Sequence, residues 1–152
     1  MHNPFGTALA EQSIVVNAHA TDWRAAITLS GDALVAGGVT TDEYTAAMIK
    51  TIEDLGPYVV IAPGIALAHS RPSPAVLRTG LSWVTLAEPV VFGNEANDPV
   101  HLVIGLAATD HDGHLAIMSA LAGVLSDPAV LASLTAASSA SDVRSQLLSY
   151  VV

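Results

Sequence analysis

Six histidines and no cysteine set the chemical range of this 152-residue chain. Imidazole is the side chain best suited to nucleophilic or proton-transfer work near neutral pH. The lack of cysteine excludes disulfides, thiolate metal sites and a cysteine nucleophile from these residues. Position separates the six. His2 lies in the terminal segment, His19 just before a helix cap, and His101 opens a strand, so each reads first as a structural or surface residue. His69 ends the apolar run Ile65-Ala66-Leu67-Ala68 and begins the polar turn Ser70-Arg71-Pro72-Ser73-Pro74. Strand ends of this kind are where α/β sheets present reactive groups. Spacing alone leaves two readings of His69 open, an active group or a satisfied histidine at a strand end.

His111 and His114 fall in Asp110-His111-Asp112-Gly113-His114-Leu115, ahead of a helical pattern that continues through Leu125. Asp110 or Asp112 can cap that helix, which puts His114 in its first turn. Unpaired backbone N–H groups and the positive dipole end gather there and attract a phosphoryl group. A solvated helix start is the alternative. Two histidines three apart beside two aspartates also admit a metal reading, but there is no His-Glu-x-x-His motif and no cysteine pair. Neither metal nor cofactor is expected. Arg71, two residues beyond His69, can pair with phosphate oxygens or with a surface acid.

The elements that must position these groups follow from periodicity. Trp23, Ala26, Ile27 and Leu34 recur at helical spacing within Thr21 to Val35, and Gly37-Gly38 supplies a stop. Thr40 and Glu43 have capping-box spacing ahead of the stripe Tyr44, Ala47, Met48, Ile52 and Leu55, which Gly56-Pro57 ends. Two helices therefore precede the first strong strand cluster. Tyr58 to Ala68, broken at Pro63-Gly64, predicts two short buried strands, and Leu81 to Leu86, Val90 to Phe92 and Val100 to Ala107 predict more. Helical spacing returns in Leu115, Met118, Ala122 and Leu125, then after Asp127-Pro128, and again after Ser141 through Val143, Leu147, Leu148 and Val151. The expected fold is α/β, one domain over residues 1–152 with a mixed sheet of about four to six strands flanked by helices.

Composition narrows the partners. A net charge of -9 with five Lys and Arg argues against nucleic acid, whose phosphate backbone is held mainly by clustered basic residues. An acidic face suits a basic protein partner instead. The longest uncharged stretch, Leu55 to Ser70, carries two prolines and two glycines and falls short of the roughly 20 apolar residues of a spanning helix. No basic and apolar leader pattern is visible near residue 1, so a cytoplasmic location is expected.

The segment Ile61-Ala62-Pro63-Gly64-Ile65-Ala66-Leu67-Ala68-His69-Ser70-Arg71-Pro72 resembles the active-site segment of the mannitol/fructose-type enzyme IIA family, above all its ascorbate-type branch. The resemblance extends to Asn17-Ala18, Asp22 to Ile27, Gly56 to Val60, Thr79-Gly80-Leu81, Glu88 to Glu95, Asn97 to Val100, His114-Leu115 and Leu125-Ser126-Asp127. It covers roughly residues 15–148 in one order without large gaps, far more than any short motif.

What the resemblance implies is a phosphorelay of a bacterial sugar phosphotransferase system. Phosphorylated HPr donates to a histidine of enzyme IIA, which passes the group to enzyme IIB for a sugar entering through the membrane component, enzyme IIC. His69 matches the family's phosphorylated histidine, and His114 matches a second histidine placed to bind the phosphoryl group. The family's IIB acceptor is a cysteine, so the resemblance implies a separate IIB for a chain without one. A regulatory module, whose phosphorylation state another protein reads, is the alternative with the same fold and histidine. Two departures stand out. Ala68 occupies the place of a proline that commonly precedes the active histidine, and Thr51 falls near a helix arginine of mannitol-type members. Arg71 is the candidate to replace that charge.

Overall fold

Side-chain alternation along the strands decides the architecture, because successive residues of a strand face opposite sides of the sheet. In the computed structural model, which describes residues 3–150, Ile65 and Leu67 pack on one side of β3 (Ile65–Ala68) and Ala66 and Ala68 on the other. His2 and Val151 lie outside the described residues. All four strand residues are buried, so this sheet is covered on both faces.

The sheet also contains β1 (Ile14–Ala18), β2 (Val60–Ala62), β4 (Gly80–Val90) and β5 (Val100–Ala107), in the order β1-β4-β5-β3-β2. β1 runs parallel to β4 and β3 parallel to β5, while β4–β5 and β2–β3 are antiparallel. One face is covered by α2 (Trp23–Ala36) and α3 (Asp42–Leu55), through residues such as Ile27, Leu34, Tyr44 and Met48. The other carries α1 (Phe5–Ala8), α4 (His111–Leu125), α5 (Pro128–Thr135) and α6 (Ala140–Ser149), which bury Phe5, Leu121, Leu134 and Leu147 against Trp83 and Ile104. The result is a three-layer mixed α/β fold with five strands, inside the expected range.

Several local expectations need correction. β1 precedes α2 and α3, and it escapes the periodicity because it is five residues long with only Ile14 buried. Leu81 to Val90 is one strand rather than two, bulged between Thr85 and Val90 where the exposed Glu88-Pro89 needs no ladder donor. Phe92 has left that strand and packs on Trp23, with ring centroids 6.5 Å apart. The Thr40–Glu43 capping box does not form. Thr40 is buried in an isolated bridge to Val76, and Thr41 takes the N-cap position without a side-chain bond. Ser139, rather than Ser141, caps α6 by accepting from Asp142 N. Asp22, Asp110 and Asp127 cap α2, α4 and α5. Among the described residues no single helix is long and apolar enough to cross a membrane.

Candidate functional site

Because β3 and β5 are parallel neighbours, their carboxyl ends open at the same edge of the sheet. His69 follows β3 directly, and the chain leaving β5 turns through Thr109 and Asp110 into α4. Groups some forty residues apart in sequence therefore meet. A cleft of about 780 Å³ lies there, lined by His69, Ser70 and Arg71 from one strand end, by Asp110, His111 and His114 from the other, and by Tyr44, Thr51 and Tyr58 on the α3 side. His19 and His101 lie apart from it. β1 runs antiparallel to β5, so His19 emerges at the other end of the sheet, where His101 opens β5.

His69 is half-buried, and its Nδ1 stands 2.9 Å from the carbonyl oxygen of Leu67. A carbonyl only accepts, so Nδ1 carries a proton, and in the neutral ring Nε2 keeps its lone pair. The Tyr58 ring meets the imidazole edge-on, 5.8 Å between centroids at 86°. These two contacts restrict rotation of the ring about both of its side-chain torsions. Backbone support comes from α3. The Tyr44 hydroxyl accepts from Ser70 N at 2.9 Å and donates toward Leu106 O at 2.7 Å, with Ser70 O at 3.1 Å. Burial pushes the Tyr44 phenol above its ordinary value of 10.0; the Ser70 N–H bond acts in the opposite sense and nearby Tyr58 adds to the rise. It stays protonated at neutral pH.

At the opposing wall, Asp110 Oδ1 accepts from Gly113 N at 2.7 Å, and His114 N donates to Asp110 O at 3.2 Å. The N–H groups of His111 and Asp112 have no intrahelical acceptor, which leaves an anion-attracting helix start beside both imidazoles. Arg71 is exposed at the rim. The other four cations are engaged. Arg24 pairs with Glu53 and Lys50 with Asp54, each at 3.0 Å, while Arg78 and Arg144 bond backbone carbonyls. Among the described residues Arg71 alone of the five has no hydrogen-bond or ion-pair partner. Thr51, near the place of the expected arginine, gives its hydroxyl to Ala47 O at 2.8 Å and stands 3.3 Å from Ser70 Oγ. No group of three or more His, Asp or Glu is arranged to hold a metal among the described residues.

The structure thus brings His69, Arg71 and His114 to one cleft and adds Tyr44 and Tyr58, which the sequence reading placed only in a helix stripe and a strand start. Tyr44 carried one available signal. It is a residue with a polar tip in an apolar stripe, and such a tip needs a partner when buried.

Comparison with known proteins bears on the fold and the family. A family model described as phosphoenolpyruvate-dependent sugar phosphotransferase system, EIIA 2, matches residues 7–150. The ascorbate-specific PTS system EIIA components of Salmonella typhimurium and Escherichia coli K12 are each 44% identical over 108 residues, 70% of this chain and 70% of theirs. The mannitol-specific cryptic phosphotransferase enzyme IIA CmtB from Escherichia coli superposes with a TM-score of 0.84 at 33% identity, covering 95% of this chain and 97% of that one. A complex of mannitol enzyme IIA with phosphorylated enzyme IIB from the same species gives 0.80 at 30% identity, over 93% and 98%. Fold and family together define a phosphoryl-transfer component of a sugar transport system. The chain belongs to the sugar phosphotransferase system EIIA 2 family.

Proposed function

We propose that His69 is the phosphoryl acceptor, taking the group from phospho-HPr on Nε2 and passing it to a cysteine of enzyme IIB. The observation that carries this reading is the 2.9 Å bond from His69 Nδ1 to Leu67 O, which leaves Nε2 as the ring's nucleophilic atom. Its lone pair forms the P–N bond as the bond from phosphorus to the donor breaks. The Nδ1–H stays on the ring, and Leu67 O shares the positive charge that develops there. In the second transfer the P–N bond breaks, a thiolate sulfur takes the phosphorus, and Nε2 regains its lone pair.

The surroundings suit a loose phosphoryl transition state, whose charge spreads over the equatorial oxygens. His114, Arg71 and the free N–H groups at the start of α4 are the donors available to meet that charge. The 152 residues contain no cysteine, so the next acceptor lies outside them. Relatives named as ascorbate-specific make ascorbate the first sugar to test, with transport through enzyme IIC and a cytoplasmic site for the relay. Reconstitution with enzyme I, HPr and a cognate IIB tests the whole reading. The expected result is label on this protein that then appears on the IIB cysteine. Labelling with no onward transfer to any IIB would select the regulatory alternative.

A further inference from the structure

From the ladder between β3 and β5 we infer that Tyr44 is a positioning residue for phosphoryl transfer, its hydroxyl standing in for the next β-ladder bond and so holding His69 out at the cleft. This rests on the reading of His69 as the acceptor. Leu102 N donates to Gly64 O at 3.1 Å, which sets the phase of the parallel ladder. The register runs from Ile65↔Leu102 to Ala68↔Gly105. In a parallel pair of this phase the bonds recur every second residue, so the next one would run from Ser70 N to Leu106 O.

That direct bond is absent. The Tyr44 hydroxyl occupies its place, accepting from Ser70 N at 2.9 Å and donating to Leu106 O at 2.7 Å. One oxygen atom between donor and acceptor separates the two backbones at the residue after His69. The strands diverge there, and the cleft opens between their ends. Tyr44 itself is 1% exposed and fixed in α3, so the inserted hydroxyl has a rigid mount. Removing it leaves the part-buried Ser70 N and the buried Leu106 O unpaired, and the cheapest repair is for them to bond each other. Such a repair draws Ser70 toward β5, extends β3 and moves His69 off its bond to Leu67 O. Displacement of a reacting atom by about 1 Å is worth on the order of a hundredfold in rate.

The test is Tyr44→Phe in the full chain. We expect the maximal rate of phosphorylation by phospho-HPr to fall ~10- to 100-fold, with KM for phospho-HPr near the parent's, and the His69 Nδ1–H resonance to shift or broaden. A folded variant with the parent's maximal rate and an unchanged imidazole resonance would overturn the inference. Should the variant not fold, amide hydrogen exchange in the parent decides. Protection of Ser70 N–H well above that of Arg71 is expected, and equal exchange of the two would overturn the clamp. A parent that never labels His69 would instead defeat the acceptor assignment, while the exchange and imidazole measurements would still judge the clamp.

Discussion

At the scale of single residues, His69 and His114 play unequal parts. In the proposed relay, the Nδ1 bond to Leu67 O prepares His69 as the nucleophile, whereas His114 reaches the same cleft from the first turn of α4. His114→Ala should therefore slow phosphoryl transfer by roughly 100- to 1000-fold, the usual scale for losing one donor to a transition-state charge. Its half-buried position predicts a stability change within about 0.5 kcal/mol, measured by thermal melting alongside single-turnover labelling. That these two residues and Arg71 belong to one place was legible, through a strand-end histidine, a capped helix start and a long family resemblance, and all three line the cleft. Which of the two ring nitrogens the backbone holds was not legible, because a backbone carbonyl partner leaves no mark on residue type. Nor did the sequence show that, among the described residues, Arg71 alone of the five cations is unengaged, since the partners of the other four lie up to 138 positions away.

At the scale of elements, two local devices hold the site. Asp110 caps α4, and Asp110→Ala should cost about 1 kcal/mol, seen as a melting temperature lower by roughly 2–4 °C for a domain of this size. The same substitution frees the Gly113 amide and loosens the wall that carries His114. The β2–β3 turn depends on Gly64, whose φ is +78° and whose missing Cβ would lie 2.5 Å from His101 Cδ2. His101 is held against this turn, and burial pushes its imidazole below the ordinary value of 6.5. The folded state thus binds this proton less readily than the unfolded chain. Stability should fall as pH drops through about 6.5 and level off below the folded value. His101→Leu should flatten that part of a melting-temperature profile from pH 8 to 5, and an unchanged slope would count against the assignment. The aspartate cap of α2 at Asp22 was not legible, whereas those of α4 and α5 were. The Thr40–Glu43 box was not, because tertiary pairing of Thr40 with Val76 displaced a locally reasonable start.

For the whole molecule, the layered fold was legible from the doubly apolar strand runs, while the strand order was not. β1 and β4 pair across more than sixty intervening residues, and a five-residue edge strand offers little periodicity to find. That order nevertheless creates the site, since only parallel adjacency of β3 and β5 brings His69 to the start of α4. The proposed phosphoryl transfer turns on one atom, Nε2 of His69. Incubation with phosphoenolpyruvate, enzyme I and HPr, followed by mapping of the acid-labile label, tests it most directly. The expected outcome is label on His69 of the parent and none on His69→Ala. Equal labelling of parent and His69→Ala would contradict it.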